Sequence, residues 1–283
     1  MSAPPRRPPS GEQHELTFGE HRAVVVEVGG GVREYARAGR HVLDPYEEHA
    51  MCDGAHGTPL VPWPNRLADG RYRFDGVEQQ LALTEPPRRN AIHGLLRWCS
   101  WRAAEREPHR VVMSCAIHPM PGYPFELDVG VEYALGEDGL TVTIRARNAG
   151  EAPCPFGAGQ HPYVSAGGTG ARLDDCSLEL AAGVRILTDD ERMLPTGREP
   201  VAGTAFDFGS PRPLAGREID SAFTSLARDA DGRARARLSR ADGATAELWV
   251  DERFPYLEAY TGDGLAPARR RLGLGLEPMT CPP

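Results

Sequence analysis

The chain has 283 residues, of which 40% are hydrophobic, and a formal net charge of −8. That length and apolar content suit a large core, and the acidic balance opposes phosphate backbones, so no nucleic-acid partner is expected. All 32 basic residues are arginine; without lysine there is no Schiff-base catalysis, no pyridoxal-phosphate chemistry and no lysine-bearing phosphate loop.

Residues 1–11 are rich in Pro and Arg and carry no apolar run, so they read as a disordered tail rather than a signal peptide or membrane anchor. No 18-residue apolar stretch follows, which predicts a soluble, cytoplasmic protein with no membrane partner. Residues 12–283 read as one domain. The first predicted hairpin pairs residues 23–28 with 32–36 across Gly29-Gly30-Gly31. The second pairs 71–74 with 77–83 across Asp75-Gly76, a dipeptide that tolerates the positive φ of a tight turn. The third is the clearest: Phe125, Leu127, Val129, Val131 and Tyr133 alternate with polar residues, and Leu140, Val142, Ile144 and Ala146 answer them after a Gly-Glu-Asp-Gly turn. The fourth pairs 234–239 with 244–250 across Ala241-Asp242-Gly243. Amphipathic helices are missing, and 26 prolines and 32 glycines punctuate the whole chain. The fold class is all-β, a large antiparallel sandwich. The six cysteines form no C-x-x-C pair, which argues for reduced, mostly buried thiols and against a zinc or redox motif.

Three segments depart from strand-and-turn sequence. One runs from Gly57 to Trp101 and holds Pro62-Trp63-Pro64-Asn65-Arg66 and Asn90-Ala91-Ile92-His93-Gly94; the others are Gly159-Gln160-His161-Pro162-Tyr163 and Leu274-Gly275-Leu276-Glu277-Pro278-Met279-Thr280. His93 and His161 sit beside Gly or Pro, at loop or strand ends. Trp63, Trp98, Trp101 and Tyr163 accompany these segments, and aromatic faces with a few polar groups suit the apolar face and hydroxyl rim of a pyranose. Glu277 is out of phase with Leu272, Leu274 and Leu276, so it projects from the opposite face of its strand, either as a salt-bridge partner or as a catalytic base. Each residue also has an ordinary reading: Asn65 as a turn cap, Arg66 as a carboxylate partner, Asp220 as a helix or turn cap.

Taken together, these stretches resemble the aldose 1-epimerase (galactose mutarotase) family, in its bacterial branch ending Glu-Pro-Met-Thr-Cys-Pro-Pro. The likeness extends over Gly70 to Gly76, Gly122-Tyr123-Pro124-Phe125 and Asp220 to Phe223, in the family's order. It implies a galactose-mutarotase-like supersandwich with a sugar in an open cleft, and a cofactor-independent, metal-free isomerase acting on a monosaccharide as a monomer or homodimer. It assigns the catalytic base to Glu277 and the catalytic acid to His161, and places His93, Arg66, Asp220 and Asn65 around the substrate. Burial is expected to raise Glu277 above its ordinary pKa of roughly 4, while a nearby carboxylate is expected to keep His161 partly protonated. The alternatives are a hexose-6-phosphate 1-epimerase, for which residues 88–89 and 269–271 offer cations, and a non-catalytic sugar-binding sandwich.

Overall fold

The computed structural model describes residues 7–167 and 171–283. The four hairpins form at the expected turns, although the first strand of the first ends at Val26 rather than Val28, and the return strand of the second ends at Gln80 rather than Leu83. Leu127–Gly136 and Gly139–Asn148 pair from Gly136 opposite Gly139 to Leu127 opposite Asn148. Arg71–Phe74 pairs Val77–Gln80, with Asp75 and Gly76 both at positive φ. His21–Val26 pairs Val32–Arg37, and Ala234–Arg240 pairs Thr245–Val250.

Three larger sheets organise these strands, and every ladder between them is antiparallel. A 12-stranded sheet begins with Gln13–Phe18, His21–Val26, Val32–Arg37 and Arg40–Leu43. It continues through Tyr163–Val164, Leu274–Met279, Tyr256–Tyr260, Asp220–Leu226, Ala182–Thr188 and Pro195–Pro200, with Gly159–Gln160 and Pro59–Leu60 attached at the side. A four-stranded sheet spanning Arg102–Glu107 to Gly139–Asn148 shares a core with its first strands: Leu16, Val25 and Val32 meet Met113, Val129, Val131 and Tyr133. A second, built on Cys176–Leu180 and Ala234–Arg240, shares a core with its later strands: Leu257, Ala259, Leu274 and Leu276 meet Leu178, Leu180, Ala236 and Leu238. Period-2 alternation explains both cores, because each strand sends every second side chain inward. Full burial of each Leu contributes roughly 1.5–3 kcal/mol.

Two expectations change. Residues 1–6 of the expected tail 1–11 lie outside the described residues; within 7–11, Arg7 and Pro9 are exposed but Ser10 and Gly11 are buried, with Arg7 pairing with Glu27 at 2.6 Å and Ser10 accepting a bond from Val28 through its backbone carbonyl. A partner carboxylate and a backbone hydrogen bond hold a segment whose composition alone reads as disordered. Asp220 is not a cap but the first residue of the strand Asp220–Leu226. The six cysteines are free, though only Cys176 is buried. No helix among the described residues is long and apolar enough to cross a membrane.

Candidate active site

The site lies on the face of the large sheet turned away from Leu274 and Leu276. Glu258 and Glu277 are direct cross-strand partners on Tyr256–Tyr260 and Leu274–Met279. Gly159 pairs with Met279 and Tyr163 with Gly275. The same register sets His161 opposite Glu277, where Pro162 interrupts the ladder. Glu258, Glu277 and His161 therefore stand in one row across the sheet. Ala222, opposite Glu258, extends the row, and Asp220 sits diagonally, two residues before it on the same face.

The side chains converge as the register requires. His161 Nε2 lies 3.1 Å from Glu277 Oε1, and both side chains are about 95% buried, at 5% and 4% exposure. Glu277 Oε2 and His161 Nδ1 have no hydrogen-bond partner. Burial, reinforced by the Asp220 charge, pushes Glu277 up to about 8. Burial, with the neighbouring His56 and Arg97, drives His161 down to about 3. The rise of Glu277 follows the sequence expectation. The partial protonation of His161 does not, because loss of water costs the imidazolium more than the neighbouring carboxyl returns. The resting contact thus holds one proton, on the carboxyl side of the pair.

His93 and Asn65 come from the segment that covers this face. His93 N donates to Asn65 O at 2.9 Å, and Asn65 N donates to His93 Nδ1 at 3.1 Å. Both residues adopt the left-handed region, φ 60° and 55°, which costs energy for residues with a Cβ and recurs at functional positions. Because Nδ1 accepts from Asn65, neutral His93 carries its hydrogen on Nε2. Burial, with nearby His161, holds its pKa well below the ordinary value, so it stays neutral. The rings of His93 and His161 meet edge to face at 5.2 Å. His93, His161 and Glu277 each bring a potential ligand atom within 4.8 Å of the others. This donor set is poorly disposed toward a metal: the Asn65 amide occupies one lone pair of His93 and fixes N–H on the other nitrogen.

Arg66 is held by Glu85 through two bonds, Nε to Oε2 at 2.9 Å and Nη2 to Oε1 at 3.1 Å, while Nη1 reaches Asn65 Oδ1 at 3.3 Å. Burial disfavours its charge, but the bidentate carboxylate more than offsets this and raises its pKa. Asp220 is half-buried; burial raises its pKa while Arg66 and Glu258 pull it back. All six residues singled out from the sequence, Glu277, His161, His93, Arg66, Asp220 and Asn65, thus gather at one site.

The aromatic expectation divides. Tyr163 stacks with His56, with ring centres 3.8 Å apart, and with His161, at 5.0 Å. Trp98 is 56% exposed, whereas Trp101 belongs to the first core and donates Nε1–H to Leu96 O at 3.2 Å. The cations at 269–271 are largely consumed: Arg269 binds Asp44, and Arg271 binds Asp174 and Asp263. Sequence reading missed Glu258, Glu85 and Arg97. Glu258 carried the same signal as Glu277, a carboxylate between Leu257 and Ala259 in an alternating strand.

The family described as Aldose 1-epimerase matches residues 12–283. The protein YihR of Escherichia coli strain K12 is 34% identical over 278 residues, covering 97% of this chain and 85% of that protein. The aldose 1-epimerase of the same strain is 27% identical over 265 residues, covering 88% and 73%. In fold, the chain is similar to a GalM/aldose epimerase homologue from C. elegans, with a TM-score of 0.81, 17% identity and coverage of 95% and 89%. It is likewise similar to a putative aldose 1-epimerase from E. coli K12, with a TM-score of 0.79, 21% identity and coverage of 96% and 89%. With its match running over residues 12–283 and an all-β fold shared with those structures, this chain belongs to the aldose 1-epimerase family of isomerases.

Proposed function

We propose that this site interconverts the α and β anomers of a free hexose such as galactose or glucose, with Glu277 as base and His161 as acid. The observation that carries the reading is the buried 3.1 Å contact between His161 Nε2 and Glu277 Oε1. Mutarotation needs one group to take the proton of the C1 hydroxyl and another to protonate the ring oxygen as the C1–O5 bond breaks. A pair sharing one proton can do both. With the proton on His161, the Glu277 carboxylate accepts from O1 while the imidazolium donates to O5, leaving an open-chain aldehyde, a protonated Glu277 and a neutral His161. Rotation about C1–C2 presents the other carbonyl face. Glu277 then returns its proton to O1, and His161 recovers its own from the O5 hydroxyl as the ring closes.

The neutral form is thus both the resting state and the state that faces the aldehyde. A sugar hydroxyl reaching Glu277 Oε2 supplies the polarity needed to separate the charges. Positioned acid–base transfer of this kind is typically worth about 10²–10⁴-fold. The His93 Nε2–H, Asn65, Arg66 and Asp220 orient the sugar hydroxyls. Glu277→Gln and His161→Asn are each expected to slow the change in optical rotation of freshly dissolved α-galactose by about 10²-fold or more. Near-normal rates in either would remove that residue from its role.

A second reading, a phosphorylated hexose as substrate, is favoured by Arg97. This side chain is half-buried, has no hydrogen-bonded partner among the described residues, and has its charge disfavoured by burial. An anionic substituent would balance it. Rates on glucose and glucose 6-phosphate, measured with wild type and Arg97→Leu, separate the readings: selective loss on the phosphorylated sugar supports the second, and parallel rates on both sugars oppose it.

A further inference from the structure

Glu258 is 4% exposed and takes no part in the proton transfers above. Leu257 and Ala259 point into the second core, so strand alternation turns Glu258 onto the site face, directly opposite Glu277. Asp220 is its diagonal neighbour on the next strand. Three carboxyl groups therefore share one buried face of three adjacent strands.

The charges that face Glu258 come from every element packed around it. Asp220 comes from the strand on one side, Glu277 from the strand on the other, and Tyr260 from its own strand. Arg66 comes from the covering segment, where Arg88 and Glu85 act on Asp220. Arg66 is already held by Glu85, and Arg88 approaches the same carboxylate at 3.6 Å. Among the described residues, the one neutral donor that reaches Glu258 is Asn65, whose Nδ2 gives Oε2 a bond at 3.2 Å. Glu258 and Asp220 are diagonal neighbours on adjacent strands of this face, and two carboxyl groups so placed in a buried site do not both stay ionised; one keeps a proton and can give it to the other.

We propose that Glu258 is a positioning residue that stays protonated and donates its O–H to Asp220, holding Asp220 ionised and oriented for a substrate hydroxyl and sparing Glu277 an adjacent negative charge. Asn65 fixes Oε2 as an acceptor, which leaves the other oxygen to carry the hydrogen. The proton affinities point the same way. Burial and the neighbouring Asp220 and Glu277 push Glu258 well above the ordinary carboxylate range, whereas Arg66 and the Glu258 bond restrain the rise of Asp220.

The inference deepens the proposed reaction and rests on it for the role of Asp220, but the protonation state is tested without any reaction. At about pH 9, above the range of Glu277, infrared difference spectra are expected to show a protonated-carboxyl stretch in wild type. That band is expected to vanish in Glu258→Gln and persist in Glu277→Gln. No such band in wild type, or one that survives in Glu258→Gln, overturns the proposal whatever the enzyme turns over.

In kinetics, Glu258→Leu, with its fold checked by circular dichroism, is expected to raise KM about tenfold or more by leaving Asp220 without its donor. Glu258→Gln, whose amide still donates, is expected to recover most of that loss and leave the alkaline limb of kcat/KM in place. An alkaline limb moved to lower pH in Glu258→Gln contradicts the proposal, because it means that a negative charge was removed beside Glu277. If wild type moves no aldose between anomers, the functional reading fails while the infrared result still decides the state of Glu258.

Discussion

Leu276 and Glu277 are consecutive residues of one strand, both buried, and they serve opposite faces. Leu274, Leu276, Leu257 and Ala259 pack against a second sheet, where any shape that fills the space is adequate. Glu277, Glu258 and Asp220 project the other way, into a region with three carboxyls, where the neighbouring Arg66 is already held by Glu85. The first face stabilises the fold by removing apolar surface from water. The second face costs stability, because desolvated carboxyls are held near one another. Strand alternation is what lets one segment do both, since the apolar side fixes the backbone that holds the polar side in place.

This contrast is open to tests, beginning with the largest effect. Glu277→Gln is expected to fold normally and lose about 10²–10⁴-fold in turnover, whereas Leu276→Ala is expected to lose about 2–5 kcal/mol of stability and retain turnover per folded molecule. Urea unfolding alongside steady-state rates checks both, and a mutant failing in both respects would show that the faces are not separable. Asp220→Ala is expected to weaken substrate binding or orientation by about tenfold or more, the scale of a lost hydrogen bond to a charged group; unaltered kinetic constants would remove it from the site.

A third test follows pH. Glu277 is raised to about 8, so the shared proton is present at neutral pH and lost as pH rises through that value. A plateau of kcat/KM near neutrality and a fall above about 8 are expected. The same shift has a sign for stability. The folded protein binds this proton more tightly than the unfolded chain, so its contribution is full below the ordinary carboxylate pKa and is lost as pH rises through about 8. Glu277→Gln is expected to flatten that slope. The smallest effect belongs to the surface: breaking the exposed pair Arg237–Glu247, at 2.8 Å, is expected to cost under about 1 kcal/mol.

Much of this was legible in the residues. The four hairpins followed from alternation and Gly-containing turns, and Glu277 declared itself by being out of phase with its leucines. The motif residues His93, His161, Asn65 and Arg66 were visible as departures from strand sequence, but only the fold shows why they meet. His161 faces Glu277 because of a register shared by segments more than a hundred residues apart. Trp101 read as a pocket aromatic and proved to be core, since a Trp beside a strand gives no local sign of which way it points. The charge state of His161 is hard to read for a related reason: a sequence does not show how much water burial removes from the imidazole. Residues 269–271 look available to an anion in the sequence, but Asp44 and Asp174, remote in sequence, and the nearer Asp263 stand against two of them.

The most direct test of the shared proton is a double-mutant cycle on His161 and Glu277, followed by the optical rotation of freshly dissolved α-galactose. If the two side chains act as one unit, each single variant loses about 10²-fold or more and the double variant is no slower than the worse single. Losses that multiply in the double variant, or a single variant with near wild-type rate, would contradict it.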